Sequence, residues 1–98
     1  MASYIALCNF TDQGIRSVKQ TTQRAEAAEA LAKRCGVTVK GVQWTLGAYD
    51  VVVQLEAPDD QSLTAFELAL AVQGNVRTQT LRAFSRDEID AILGKLPG

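Results

Sequence analysis

Apolar positions along the chain change their spacing several times, and each change marks an element. From Ser3 to Phe10, Tyr4, Ile5, Leu7 and Phe10 supply strand-compatible bulk. Thr11-Asp12 then offers capping side chains, so a short helical turn is expected over Asp12 to Val18. Ala25, Ala28, Leu31, Ala32 and Cys35 recur at spacings of three and four, which predicts a helix over Thr22 to Arg34 with Thr21 or Thr22 as its cap. Gly36 stands where a left-handed residue would end it. Two strands follow, Val37 to Leu46 and Tyr49 to Ala57, with Gly47-Ala48 as a short hairpin connection. Pro58 ends the second strand because it has no N–H to donate.

Asp59 and Asp60 suit the start of another helix, whose face is Leu63, Phe66, Leu70 and Gln73, widened by Ala69. Gly74 stops it. Val76 to Phe84 reads as a fourth strand with Val76, Thr78, Thr80, Arg82 and Phe84 on one side. Ser85 and Glu88 form the S-x-x-E capping box of a last helix running to about Leu96, with Ile89, Ile92, Leu93 and Leu96 on one face. The order β-α-β-β-α-β plus a C-terminal helix is the ferredoxin-like pattern of an α+β fold. It implies one domain over residues 1–98, a four-stranded antiparallel sheet, and both main helices on one side.

That arrangement leaves one sheet face uncovered, and an uncovered face should be polar. The first strand offers Ile5 and Leu7 on one side and Tyr4, Ala6, Cys8 and Phe10 on the other. The second offers Val42, Trp44 and Leu46 against Val37 and Val39. With apolar residues of both parities, the open face is expected to close on the same face of a second copy. The lesser alternative is that the terminal helix folds back over it.

Composition narrows the chemistry. The 98 residues are 47% hydrophobic and 21% charged with a net charge of −1, so nothing points to capture of nucleic acid or a membrane surface. No apolar run could span a bilayer and the N-terminus carries no export pattern, which predicts a cytoplasmic protein. Two cysteines, Cys8 and Cys35, read as reduced core residues. The chain has no histidine, which excludes Ser-His-Asp and Cys-His catalysis and histidine-ligated metals within it. No metal site is expected and no cofactor is assigned. There is no glycine-rich nucleotide motif.

The stretch Gly47-Ala48-Tyr49-Asp50 is a G-x-Y-D sequence. Together with Phe10-Thr11-Asp12-Gln13-Gly14-Ile15, Gly41 to Gly47 and Gly74-Asn75-Val76-Arg77-Thr78, it resembles the GYD-domain family from about Tyr4 to Ser85. Thr22 stands where many relatives have a proline opening the helix. The resemblance implies a ferredoxin-like, dimeric α/β-barrel fold. It implies no particular activity, since the wider dimeric α/β-barrel group spans sensing modules and small enzymes.

Ligand-binding candidates are the polar and aromatic residues near strand ends: Asn9, Gln43, Trp44, Tyr49, Asp50, Thr78, Thr80 and Arg82. Tyr49 and Asp50 could transfer protons at a pocket mouth, or simply hold a turn. Arg82 could clamp an anion or lie over an apolar face. Trp44 could stack on a ligand or fill the core. Three readings follow, in order. The first is a homo-oligomer holding a small organic ligand between its sheets or at the subunit boundary. The second is a small cofactor-independent enzyme, isomerase-like or monooxygenase-like, using Tyr49, Asp50 and Arg82. The third is a structural or adaptor subunit.

Overall fold

The computed structural model describes residues 1–98. Strand β1 (Ala2–Phe10) is followed by a short helix α1 (Asp12–Arg16), a single 3₁₀ turn over Val18–Gln20, and helix α2 (Thr21–Arg34). Strands β2 (Thr38–Trp44) and β3 (Val51–Ala57), helix α3 (Asp60–Val72), strand β4 (Val76–Ala83) and helix α4 (Arg86–Leu93) complete the chain. The sheet order is β2-β3-β1-β4 and every pairing is antiparallel, so β1 and β3 are central. This is the expected ferredoxin-like α+β arrangement.

Helices α2 and α3 cover one face. Tyr4, Ala6 and Cys8 of β1 and Val51, Leu55 and Ala57 of β3 point into it and are buried, together with Ala32, Val37, Leu63 and Phe66. Alternation along β1 and β3 selects these residues directly. On β2 it does not. Val39 pairs with Leu55 but Gly41 pairs with Gln54, so Lys40 is an extra residue in a β-bulge. The bulge shifts parity by one. Val39, Val42 and Trp44 therefore lie on the same helix-covered face, not on opposite faces as a regular strand would have them.

The apolar part of the open face comes instead from the other three strands. Ile5 faces Leu81, and Leu7 faces Val52. Gln54, Glu56, Gln79, Arg77 and Gln43 surround them on the same parity. Leu81 is 43% exposed. Helix α4 does not fold back over this face. Its capping box forms as expected, with Ser85 Oγ accepting from Glu88 N at 3.1 Å and Ser85 N donating to Glu88 Oε1 at 2.9 Å. Yet no element of the chain packs extensively along α4. Its stripe stays in water, with Ile89, Ile92 and Leu93 exposed by 41%, 38% and 55%.

Two further expectations change in detail. Neither Thr21 nor Thr22 caps α2; Gln20 is the N-cap position, and it makes no side-chain bond. Thr21 Oγ1 is occupied by the Trp44 indole N–H at 3.0 Å. The β2–β3 connection is not a two-residue hairpin. The strands stop at Trp44 and resume at Val51, with Gly47 at φ +108° in the loop between. Tyr49 and Asp50 therefore belong to that loop and not to β3.

Candidate functional site

The family-like motifs meet at one end of the sheet, where they mostly bind one another. Asp50 N donates to Cys8 O at 2.9 Å, and Asp50 Oδ2 accepts from Phe10 N at 2.9 Å. The carboxylate thus satisfies the last amide of β1, a role its position in the loop dictates. Asn9 Nδ2 donates to Ala48 O at 2.8 Å and ties down the same loop. Thr45 Oγ1 donates to Tyr49 O at 2.5 Å. On the other side, Thr11 caps α1 by accepting from Gly14 N at 3.1 Å, and its amide donates to Asn75 O at 3.1 Å. Gln13 Nε2 reaches Gln73 O and Asn75 Oδ1, both at 2.9 Å. Gly14 has no alternative: a Cβ there would lie 2.0 Å from Asn75 O.

Tyr49 projects onto the open face, where its hydroxyl donates to Gln79 Oε1 at 3.0 Å. A shallow polar depression surrounds it, lined by Leu7, Asn9, Arg77, Thr78 and Gln79. Arg82 lies at the opposite end of the sheet, beside Tyr4. Its guanidinium sits over the rings of Tyr4 and Phe84 at 5.5 and 4.7 Å, donates to Ser3 O at 3.1 Å and pairs loosely with Glu88 at 3.8 Å. Asp50 is held at Cys8 and Arg82 opposes Tyr4, four residues apart along β1 or about 13 Å. Tyr49, Asp50 and Arg82 therefore do not converge on one cavity. The acid, base and anion holder of the enzymatic reading are not assembled in this chain.

The enclosed space lies elsewhere. Between the inner sheet face and the underside of α2 and α3 is a cavity of about 90 Å³. Its floor includes Ala6, Cys8, Val42, Val53, Leu55 and Thr78, and its roof Ala25 and Ala28 of α2 with Phe66, Glu67 and Leu70 of α3. The alanines explain why it is there, because side chains that short leave the gap between helix and sheet unfilled. Exposed Trp44, Glu29 and Gln73 are also in its wall, so it reaches solvent there. This space lies inside a single chain. Of the eight candidates, Trp44 and Thr78 line it. Thr80 does not line it but donates to the carboxylate of Glu67, which does. Asn9, Gln43, Tyr49, Asp50 and Arg82 do not take part.

Glu67 and Cys8 were not among the candidates. Glu67 had a signal: it follows Leu63 by four and so falls on the buried stripe of α3, where a carboxylate is out of place. Cys8 is a free thiol, as is Cys35. Burial, with a smaller push from the Glu67 charge, drives the Cys8 thiol up to about 11. It is protonated at neutral pH and is a poor nucleophile. Tyr4, whose hydroxyl donates to Asp60, is also raised, chiefly by that bond and then by burial.

The family model of the GYD domain matches residues 4–93. A curated protein of Thermus thermophilus, the glutamine synthetase and cystathionine beta-lyase binding protein, is 34% identical over 84 residues, covering 85% of this chain and 88% of its own. A crystal structure from the same organism superposes with a TM-score of 0.55 at 23% identity, over 87% of this chain and 95% of that one, and shares the fold. No helix here is long and apolar enough to cross a membrane.

Proposed function

The chain belongs to the GYD-domain family, and from that premise we propose that it is a non-catalytic binding subunit that pairs with itself and docks on other proteins. The observation that carries this reading is α4. Its apolar stripe is largely exposed, and a helix with anchors at i, i+3 and i+4 is the form in which proteins enter the groove of another protein. The open sheet face, with Ile5, Leu7, Val52 and Leu81 together, is covered by the same face of a second copy, as the two-sided sheet pattern suggests. The relative's glutamine synthetase and cystathionine beta-lyase binding supplies the class of partner: enzymes of amino-acid metabolism.

The test uses purified glutamine synthetase and cystathionine beta-lyase from the organism that encodes this chain. Saturable binding to one of them by biolayer interferometry, lost by at least about tenfold in Ile92→Asp, is expected. Binding to neither enzyme, or binding untouched by Ile92→Asp, contradicts the reading.

A second reading has its own observation. The cavity beneath α2 and α3 supports a module that also holds a small organic molecule, within each subunit rather than between subunits.

A further inference from the structure

Two acidic side chains line the cavity, the exposed Glu29 of α2 and the half-buried Glu67 of α3. Phe66, Cys8, Val53, Thr78 and Trp44 share the cavity wall with Glu67. A carboxylate has about four acceptor sites. The only group that meets Glu67 is the hydroxyl of Thr80, which has a single proton to give. No cation balances its charge. The chain's two ion pairs are Lys40–Glu56 at 3.9 Å and Arg82–Glu88 at 3.8 Å, and neither involves it. Arg24 is in the cavity wall, but it is committed to the α1 region, donating to Ser17 O at 2.8 Å, Ser17 Oγ at 2.7 Å and Gly14 O at 3.1 Å.

A carboxylate with no counter-charge beside a largely apolar, half-enclosed wall has acceptor sites free for a donor in the cavity. The group that completes it is a donor-rich cation. An ammonium brings three N–H donors to the acceptor sites Thr80 leaves open, and aromatic rings in the wall add to its attraction. The volume limits the rest of the ligand. About 90 Å³ holds on the order of six waters, or a body of about six non-hydrogen atoms.

Resting on the small-molecule reading above, we propose that this cavity binds a compact primary amine in its protonated form, with the ammonium on Glu67 and the hydrocarbon body between the sheet and α2. The amine is selected over neutral or anionic molecules of the same size because Glu67 rewards only the positive end.

Trp44 is the chain's only tryptophan and lies in the cavity wall, so its emission reports on occupancy. The experiment titrates the intact protein at neutral pH with butylammonium, and in parallel with 1-butanol and butyrate as matched probes. Butylammonium is expected to shift Trp44 emission saturably, with an affinity at least about tenfold above 1-butanol and higher still above butyrate. In Glu67→Gln the preference for the amine should collapse to within about twofold of the alcohol. Should that variant fail to fold, the order of affinities in the native protein still decides the matter. Equal binding of amine and alcohol by the native protein overturns the amine assignment and leaves the small-molecule reading standing. Absence of any saturable response to all three probes overturns both.

Discussion

One sheet presents two faces built by the same four strands, and they are finished in different ways. On the inner face, Tyr4, Leu55, Leu63 and Phe66 are closed in by the chain's own helices. On the outer face, Ile5, Leu7, Val52 and Leu81 form a smaller apolar centre ringed by Gln54, Gln79 and Glu56, and nothing in the chain covers it. Alternate residues on a strand thus answer to different requirements. The inner set stabilises the folded chain, whereas the outer set is settled only by another molecule. Helix α4 extends the contrast, since it is well capped yet leaves its apolar stripe largely exposed.

The sharpest way to break this comparison is to truncate one residue from each face. Leu55 is 2% exposed, and Leu55→Ala should lower stability by about 2–5 kcal/mol, which in a domain this size lowers Tm by about 8 °C or more. Leu81→Ala, on the open face, should cost far less at protein concentrations where the chain is monomeric. Thermal melts of both variants at low concentration check the difference, and equal losses would erase the distinction between the faces.

Next in size is the lock at the sheet end. Asp50→Ala strands the Phe10 amide and should cost about 1–3 kcal/mol, while Asp50→Asn keeps an acceptor and should cost less. Urea titrations of the two variants order them. An unchanged midpoint in Asp50→Ala would mean that the carboxylate is free for other work.

Alkaline pH should weaken the inner face selectively. Cys8 and Tyr4 both have folded values raised above their unfolded ones, so the protonated forms are favoured in the native state. The stability they contribute is complete at neutral pH. It falls as pH rises through the window from about 9 to 11 for Cys8, and from about 10 upward for Tyr4. Denaturant midpoints between pH 7 and 11 should drop over that range, and less so in Cys8→Ala.

The smallest effect on stability is expected on α4. Ile92→Asp should change the folding free energy by less than about 0.5 kcal/mol, because an exposed side chain loses no packing within the chain. A larger loss in calorimetry would show that the stripe is already buried in solution.

Much of this was legible from sequence. Strands β1 and β3 alternate cleanly, Asp59 accepts from Ser62 N as its position implies, and the Ser85–Glu88 box forms as spaced. What was hidden turns on single residues. Lys40 adds one residue to β2 and reverses the parity of everything after it, and the interior glycine at Gly41 was the available warning. A tight turn at Gly47-Ala48 would place Tyr49 and Asp50 in a strand, whereas hydrogen bonds from Thr45 and Asn9 hold a longer loop. Glu67 lies far from the strand ends where polar residues cluster in the sequence, and the cavity it enters forms under the alanines of α2. Whether α4 folds back is not written in its periodicity, since a stripe of Ile89, Ile92, Leu93 and Leu96 serves an internal or an external partner equally.

Light scattering on the gel-filtered protein at micromolar concentration asks most directly whether the open face is finished by a second copy. A mass of about twice 10.6 kDa is expected for the native chain, falling to one chain in Leu81→Glu with its circular dichroism intact. A native chain that stays at 10.6 kDa across that range would contradict it.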